Sequence, residues 1–533
     1  MSGELAFLTD AGRLGHSPLM EQMERQGATV SVEEERPTGI PHVLSALVLA
    51  GLLLKLSLIG WNRGEYTDGI IQLQLWDSPI VFFPPLYTLV VQFVNLFVGD
   101  LLTSGRLVSI VGSALVPIPL FFAARRLGSD SIGILASLLW FLSPMQNRWG
   151  LRVMTDSLFV LLFTVALLYY IHAILDRGGA GNRALRATFF WAGLATLTRY
   201  HGLIFLLLWF PLVRWRIQFR PRRREGELEP GTVRFSWPLP LVLLPWVGLI
   251  LWLAVRGFGH FGQFTERASH GLFVTLLTYF NFFEGFVLYL PWAVGYPLAI
   301  WIIYAVGRLW NRRGPWGLIR AVTVFTIVIW LPVQTVFLSF QFRYFLPLLP
   351  IWCLMAGYAI EECREDRLIP ARIRRFGLAV TLIWLGGMSA LVVGLQRDAF
   401  GDITDAALFV SQCPQEERIF SNETYRPGVD AVKMVFWSGR PVLGYDPDRV
   451  QPGDLVAIHN VYGDLRSDLD RRFTFEVVYR SRRYLYPLLP DIMVWPPGTT
   501  SHPISMAFRF TPQMYQTEVV RIIGRRDSTA LSP

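Results

Sequence analysis

The chain has 533 residues, 52% hydrophobic and only 17% charged, whereas soluble domains carry roughly 25% charged residues. Long apolar runs separated by basic clusters exclude an ordinary soluble enzyme and make this a polytopic membrane protein. The net charge of +9 does not point to nucleic acid, because the basic residues sit in short loops between apolar runs, as cytoplasmic loops require.

Residues 1–41 carry the acidic run Glu33 to Glu35 and no secretory signal pattern, and they read as a cytoplasmic tail. A transmembrane helix needs about 20 apolar residues, and the first such run is 41–60. Lys55 lies near its outer end, where it can snorkel to the interface; a phosphate-facing role is the alternative. Residues 61–102 then form an outer loop holding two acids, Glu65 and Asp68, and a Pro-Pro turn at Pro84 and Pro85. The apolar stretch 84–99 is short, and counting it as a span would invert every later basic loop, so it is laid in the interface.

Further spans are expected at 103–124, 132–146 and 157–175, followed by a thin pair at 187–198 and 202–215. The last five are 237–255, 285–306, 318–338, 344–360 and 377–395, for about eleven in all. The loop 214–234, with seven arginines, is the strongest cytoplasmic marker. From 396 onward charges, Pro and Gly become frequent. Residues 418–422, 454–460 and 475–481 read as strands and 404–412 and 430–437 as helices. The predicted fold class is thus a polytopic α-helical membrane protein with a C-terminal soluble α/β domain. Its parts are a tail (1–41), a membrane domain (42–395) and the α/β domain (396–533).

Three groups of residues carry the chemistry. Glu65 and Asp68 stand three apart, a spacing that shares one face if helical, and a carboxylate there could accept a proton from a hydroxyl or ligate a divalent cation. Asp156, at the outer end of a span, reads either as a helix N-cap or as a pocket acid. Arg199, His201 and Arg343 are outer basic residues that the positive-inside rule does not explain, and arginine forks suit phosphate. In the outer loop 257–284, His260, Glu266 and His270 could hold a metal such as zinc, though their spacing matches no strong motif. Asp446-Pro-Asp448 lacks a nucleotide-binding βαβ context, and Cys353, Cys363 and Cys413 give neither a metal spacing nor a disulfide framework.

The order of several stretches resembles integral-membrane glycosyltransferases of the GT-C type, in the branch of aminoarabinose transferases and protein O-mannosyltransferase-like (RgtA/B/C/D-like) enzymes. The stretches are GEYTDGI at 64–70, PPLY at 84–87, GRLVSIVGSALVPIPLFFAARRLG at 105–128 and LSP at 142–144. They continue with MTDSLFVLLF at 154–163, GLATLTRYHG at 193–202, YLPW at 289–292 and RYFLPLLP at 343–350. The resemblance implies a polyprenyl-phosphate-linked sugar donor and transfer to an acceptor hydroxyl at the extracytoplasmic face of a bacterial inner membrane. It implies Glu65 as base, with Asp68 as its rival, Asp156 as the second acid, and Arg199 and Arg343 as partners of the departing phosphate. The acceptor, whether protein, lipid or polysaccharide, stays open, as does a divalent metal cofactor. The chain departs from aminoarabinose transferases at Gly64-Glu65, Phe82-Phe83 and Glu266-Arg267, which argues against that sugar. A multi-pass transporter or lipid-linked sugar flippase is the rival class.

Overall fold

The computed structural model describes residues 41–74, 83–176, 178–203, 238–256, 294–309, 339–340, 342–365, 370–423, 431–460, 465–485, 493–494 and 513–526. His260, Glu266, His270 and the expected span 318–338 lie outside these residues. The chain divides into two units, Met1–Ser45 and Ala46–Pro533; the second holds both the helices and the sheet treated below.

Apolar runs become helices because a bilayer leaves backbone groups no partner but their own segment. Among the described residues, five helices are long and apolar enough to cross: Leu101–Leu127, Thr155–Leu175, Leu239–Arg256, Arg343–Arg364 and Ala371–Leu395. Four shorter apolar helices accompany them, at His42–Ser57, Leu86–Val98, Asp130–Leu142 and Tyr296–Leu309. Large apolar side chains stay exposed on several of these, among them Leu53, Leu54, Ile250, Val255, Phe376 and Ile383, as a lipid-facing surface demands. By contrast the helix Arg343–Arg364 is buried along 94% of its apolar window and forms the centre of the bundle.

Two expectations need correction. The expected short span 187–198 is the second half of a helix running Gly178–Thr198. At about 1.5 Å per residue its 21 residues reach about 31 Å, the thickness of a hydrocarbon core. Hydropathy cut it short at Arg183 and Arg186, but Ala180, Ala184 and Ala187 favour helix and nothing in that turn breaks it. Lys55 does not snorkel. It is 3% exposed and turns into the bundle, where its Nζ donates to Ser113 Oγ at 2.7 Å and to Gln146 Oε1 at 2.6 Å.

The helix Leu86–Val98 buries Tyr87, Thr88 and Val91 and exposes Phe93, Leu96 and Phe97. Its 13 residues span about 20 Å, short of a perpendicular crossing and suited to the interface.

The described strands are β1 Ser339–Phe340, β2 Ile419–Ser421, β3 Leu443–Gly444, β4 Leu455–His459, β5 Phe473–Leu485, β6 Met493–Val494 and β7 Gln513–Arg525. β1 pairs with β6, and the other five form a mixed sheet in the order β3-β2-β4-β7-β5. β2 runs parallel to β3 and β4, while β7 runs antiparallel to β4 and β5. Alternation along the strands sends neighbours to opposite cores. Leu455, Ala457 and Val519 join Ile403, Ala406 and Val410 of the helix Gly401–Ser411 on one face. Val456, Ile458 and Val520 join Leu465 and Leu469 of the helix Leu465–Arg472 on the other. The sheet therefore lies between helical layers, and Val432 and Phe436 of a helix beside it pack among Ile70, Leu73, Tyr87 and Val153.

Candidate active site

The loop after the helix His42–Ser57 turns into helix soon after Glu65. Tyr66 is extended (φ −70°, ψ 148°), and the helix Thr67–Leu73 carries Asp68 in its first turn. Glu65 thus precedes the helix while Asp68 is on it, and their three-residue spacing does not give them a common face. A Cβ on Gly69 would lie 2.2 Å from the Val153 carbonyl oxygen, so glycine is what lets this helix press against the second acidic segment. Thr155 N–H donates to Gln72 Oε1 at 3.1 Å and completes that seam.

Glu65 is enclosed, with no exposed surface. Arg106 Nε donates to its Oε1 at 2.8 Å and Val153 N–H to its Oε2 at 3.3 Å. The rest of the Arg106 fork donates to the carbonyls of Ile59 and Asn62 at 3.0 and 2.8 Å. The expected base is a closed ion pair that fixes the loop's shape and ties it to residue 153. Each of its oxygens already accepts one hydrogen bond in this enclosed position.

Asp68 is different: its side chain is 18% exposed, and its Oδ2 accepts from Arg343 Nη2. Asp156 sits in the first turn of Thr155–Leu175, whose N-cap is Met154, so it is not the N-cap. Arg199 Nη1 donates to its Oδ1, whereas its Oδ2 is buried with no hydrogen-bond partner, as is Arg343 Nε. Arg199 follows the last residue of Gly178–Thr198, and Arg343 stands in the 3₁₀ turn Phe342–Leu348 that opens the central helix.

The two pairs meet at one residue, Tyr344. Its ring lies 5.4 Å from the Arg199 guanidinium and 5.3 Å from that of Arg343, and the His201 ring is 5.8 Å from it. Asp68, Asp156, Arg199, His201 and Arg343 therefore converge, while Glu65 stands behind them.

Two further arginines escaped the sequence reading. Arg148 Nη2 donates to Tyr66 Oη at 3.3 Å and its guanidinium lies 4.9 Å from the Trp149 ring, which is also 5.6 Å from Arg343. Arg152, 1% exposed, donates to the carbonyls of Gly64 and Gln396 at 3.0 and 2.6 Å and covers the Tyr66 ring at 4.9 Å. Burial pulls the Arg148 guanidinium down to about 10; Tyr66 opposes that, and Arg152 and Arg343 push it the same way. Among the described residues Arg148, Arg152, Arg199 and Arg343 crowd together with little access to water, and arginine forks suit an anion. The signal was legible in NRWGLR at 147–152, two arginines in a loop expected on the outer side.

A divalent cation fits these residues poorly. Hard cations want free carboxylate oxygens, and here each aspartate is already held by an arginine whose charge repels a second cation. Among the described residues no group of three or more His, Cys, Asp or Glu could hold a metal.

Residues 83–221 match the family described as dolichyl-phosphate-mannose-protein mannosyltransferase. No curated protein matches the sequence. Among solved structures, ArnT from Cupriavidus metallidurans bound to undecaprenyl phosphate aligns with a TM-score of 0.55 at 15% identity, over 82% of this chain and 95% of that one. Its apo state aligns with a TM-score of 0.51 at 14% identity over the same shares. The Archaeoglobus fulgidus oligosaccharyltransferase in complex with zinc and sulfate gives a TM-score of 0.46 at 12% identity, over 80% of this chain and 71% of that one. The chain is thus a multi-pass membrane protein that shares the fold of ArnT, and its residues 83–221 match the mannosyltransferase family model.

Proposed function

We propose that this protein moves a sugar from a polyprenyl-phosphate-linked donor to an acceptor hydroxyl, with inversion, at the extracytoplasmic face of a bacterial inner membrane. The observation that carries the reading is the convergence of Asp68–Arg343 and Asp156–Arg199 on Tyr344. ArnT, which shares the fold, is described bound to undecaprenyl phosphate, and a lipid phosphate is the anion such a site would take. In this reading about eleven spans hold the site, the N-terminal tail is cytoplasmic and the α/β domain stands outside.

The chemistry follows from the pairs. A donor phosphate entering beside Tyr344 competes with the aspartates for the forks of Arg199 and Arg343. Asp68, the more exposed acid, is thereby released from Arg343 and becomes the base in place of Glu65. The acceptor oxygen attacks the anomeric carbon and its proton goes to Asp68. The bond from the anomeric carbon to the phosphate oxygen breaks, and its electron pair leaves with the lipid phosphate. Charge grows on that phosphate as the bond breaks, so Arg199 and Arg343 act most strongly in the transition state, the condition for catalysis rather than mere binding. Asp156, still beside Arg199, balances charge and faces the oxocarbenium-like sugar. His201 lies within reach of the same phosphate. The sugar, hexose or pentose, and the acceptor class stay open.

Purified protein in vesicles, given labelled polyprenyl-phosphate sugars and an extract of candidate acceptors, tests the reading. Release of free polyprenyl phosphate with label on an acceptor supports it. Movement of the intact lipid across the vesicle without release would make the protein a flippase instead.

A further inference from the structure

The last long helix ends at Leu395, and the chain enters the α/β domain through residues 396–401. That junction is laced to the first outer loop. Trp61 Nε1 donates to the Val393 carbonyl at 3.1 Å, Arg63 N–H to the Arg397 carbonyl at 3.0 Å, and Arg152 bridges Gly64 and Gln396. The backbones touch: a Cβ on Gly64 would lie 2.6 Å from the Ala399 carbonyl oxygen.

At the centre of the junction stands Phe400, the one residue other than glycine with positive φ among the described residues (φ 59°). A bulky side chain there is a local conflict, since glycine is the residue the backbone favours. Such conflicts persist where surrounding contacts hold them, and they cluster at functional sites. The ring of Phe400 meets the Tyr66 ring edge-on at 5.1 Å and the Tyr515 ring at 6.1 Å. Lys433 Nζ lies 3.8 Å from its centroid. Lys433 is 1% exposed, and its ammonium is 3.9 Å from Glu423 Oε1. Glu423 in turn accepts from the N–H groups of Lys433 and Met434 at 3.1 and 2.9 Å, so the cation is set by the core of the α/β domain. On the other side Tyr66 holds Arg148 through its hydroxyl and lies two residues before Asp68.

We propose that Phe400 is a positioning residue through which the α/β domain holds Tyr66, and with it Asp68 and Arg148, in working register. The α/β domain is then part of the catalytic unit and not a detachable acceptor module. The proposal rests on the transferase reading for its kinetic arm only.

The test is Phe400→Gly, which removes the ring and offsets part of the lost packing by relieving the backbone. Phe400→Tyr is the conservative variant. Hydrogen exchange should rise in peptides covering 61–70 of Phe400→Gly and stay unchanged in β4. In the labelled-donor assay kcat should fall by about tenfold to a hundredfold, the scale of a small misplacement of reacting groups, with donor KM within about threefold and a cooperative melt that shows the variant still folded at the assay temperature. Phe400→Tyr should restore both exchange and kcat. Wild-type exchange in 61–70 of Phe400→Gly overturns the proposal whatever the activity, and so does raised exchange with unchanged kcat. If the wild-type chain transfers no sugar, the transferase reading fails by itself, and the exchange result still decides whether Phe400 holds the loop.

Discussion

Two ion pairs whose acids stand three residues apart, Glu65–Arg106 and Asp68–Arg343, are built for opposite ends. Glu65–Arg106 is closed: no surface is exposed on the carboxylate, and every arm of the guanidinium is engaged by the loop or by Glu65. Asp68–Arg343 is partly open, with a carboxylate 18% exposed and an unused Nε on the arginine. A closed buried pair specifies shape, because breaking it strands a charge. An open pair beside another of its kind can exchange partners with a ligand. Both are carboxylates of one short segment; enclosure tells them apart.

The largest expected effect comes from separating these roles by single substitutions. Asp68→Asn should cut transfer by about 10²–10⁴-fold, the usual worth of a general base, with a smaller loss of stability than Glu65→Gln, because Asp156 also acts on Arg343. Single-turnover release of lipid phosphate measures it, and wild-type turnover would move the role to Asp156. Glu65→Gln should instead damage the fold. It leaves Arg106 buried without a counter-charge, a loss of about 3–5 kcal/mol, visible as a lowered melting temperature and poor yield. A stable but inactive Glu65→Gln would reverse the comparison and return the base to Glu65.

Arg343→Ala and Arg199→Ala rank next. Each removes a donor from the departing phosphate, worth about 10²–10³-fold in kcat. Lysine at either position should recover only part of that, since a point charge does not replace a fork. If either alanine variant raised donor KM and left kcat untouched, that arginine would be binding the ground state alone.

How much of this was legible in the sequence depended on whether the signal was local. Apolar runs gave the helices, because length against a bilayer is a one-dimensional property. They failed at Gly178–Thr198, where Arg183 and Arg186 lie within the helix, and at Lys55, whose partners Ser113 and Gln146 are far along the chain. Asp68, Asp156, Arg199, His201 and Arg343 could be picked out as charges that topology did not require. The closure of Glu65 could not, since it depends on Arg106 and the Val153 N–H. β7 was missed although QMYQTEVVRIIGR is rich in strand formers; its partners β4 and β5 come from other parts of the chain.

The smallest effect concerns a second closed network, in the α/β domain, where enclosure again predicts a structural and not a catalytic role. His459 is fully buried, and its Nδ1 lies 2.5 Å from Thr517 Oγ1, which donates to Asp402 Oδ2 at 2.7 Å. Burial, with Lys433 adding to it, lowers the His459 imidazole to about 3, because the folded state disfavours its charge. Its neutral form is therefore a stabilising contribution, present above the unfolded value near 6.5 and lost as pH falls toward 3, with a slope of at most about 1.4 kcal/mol per pH unit. Burial raises the Glu423 carboxyl, with Lys433 opposing, so its contribution runs the other way and grows on acidification above its unfolded range. Thermal melts of wild type and His459→Gln between pH 7 and 5 isolate the imidazole: the variant should lose less stability across that interval than wild type does. Parallel curves would mean that His459 is reached by water in the folded protein, and that this network is open in the manner of Asp68 and not closed in the manner of Glu65.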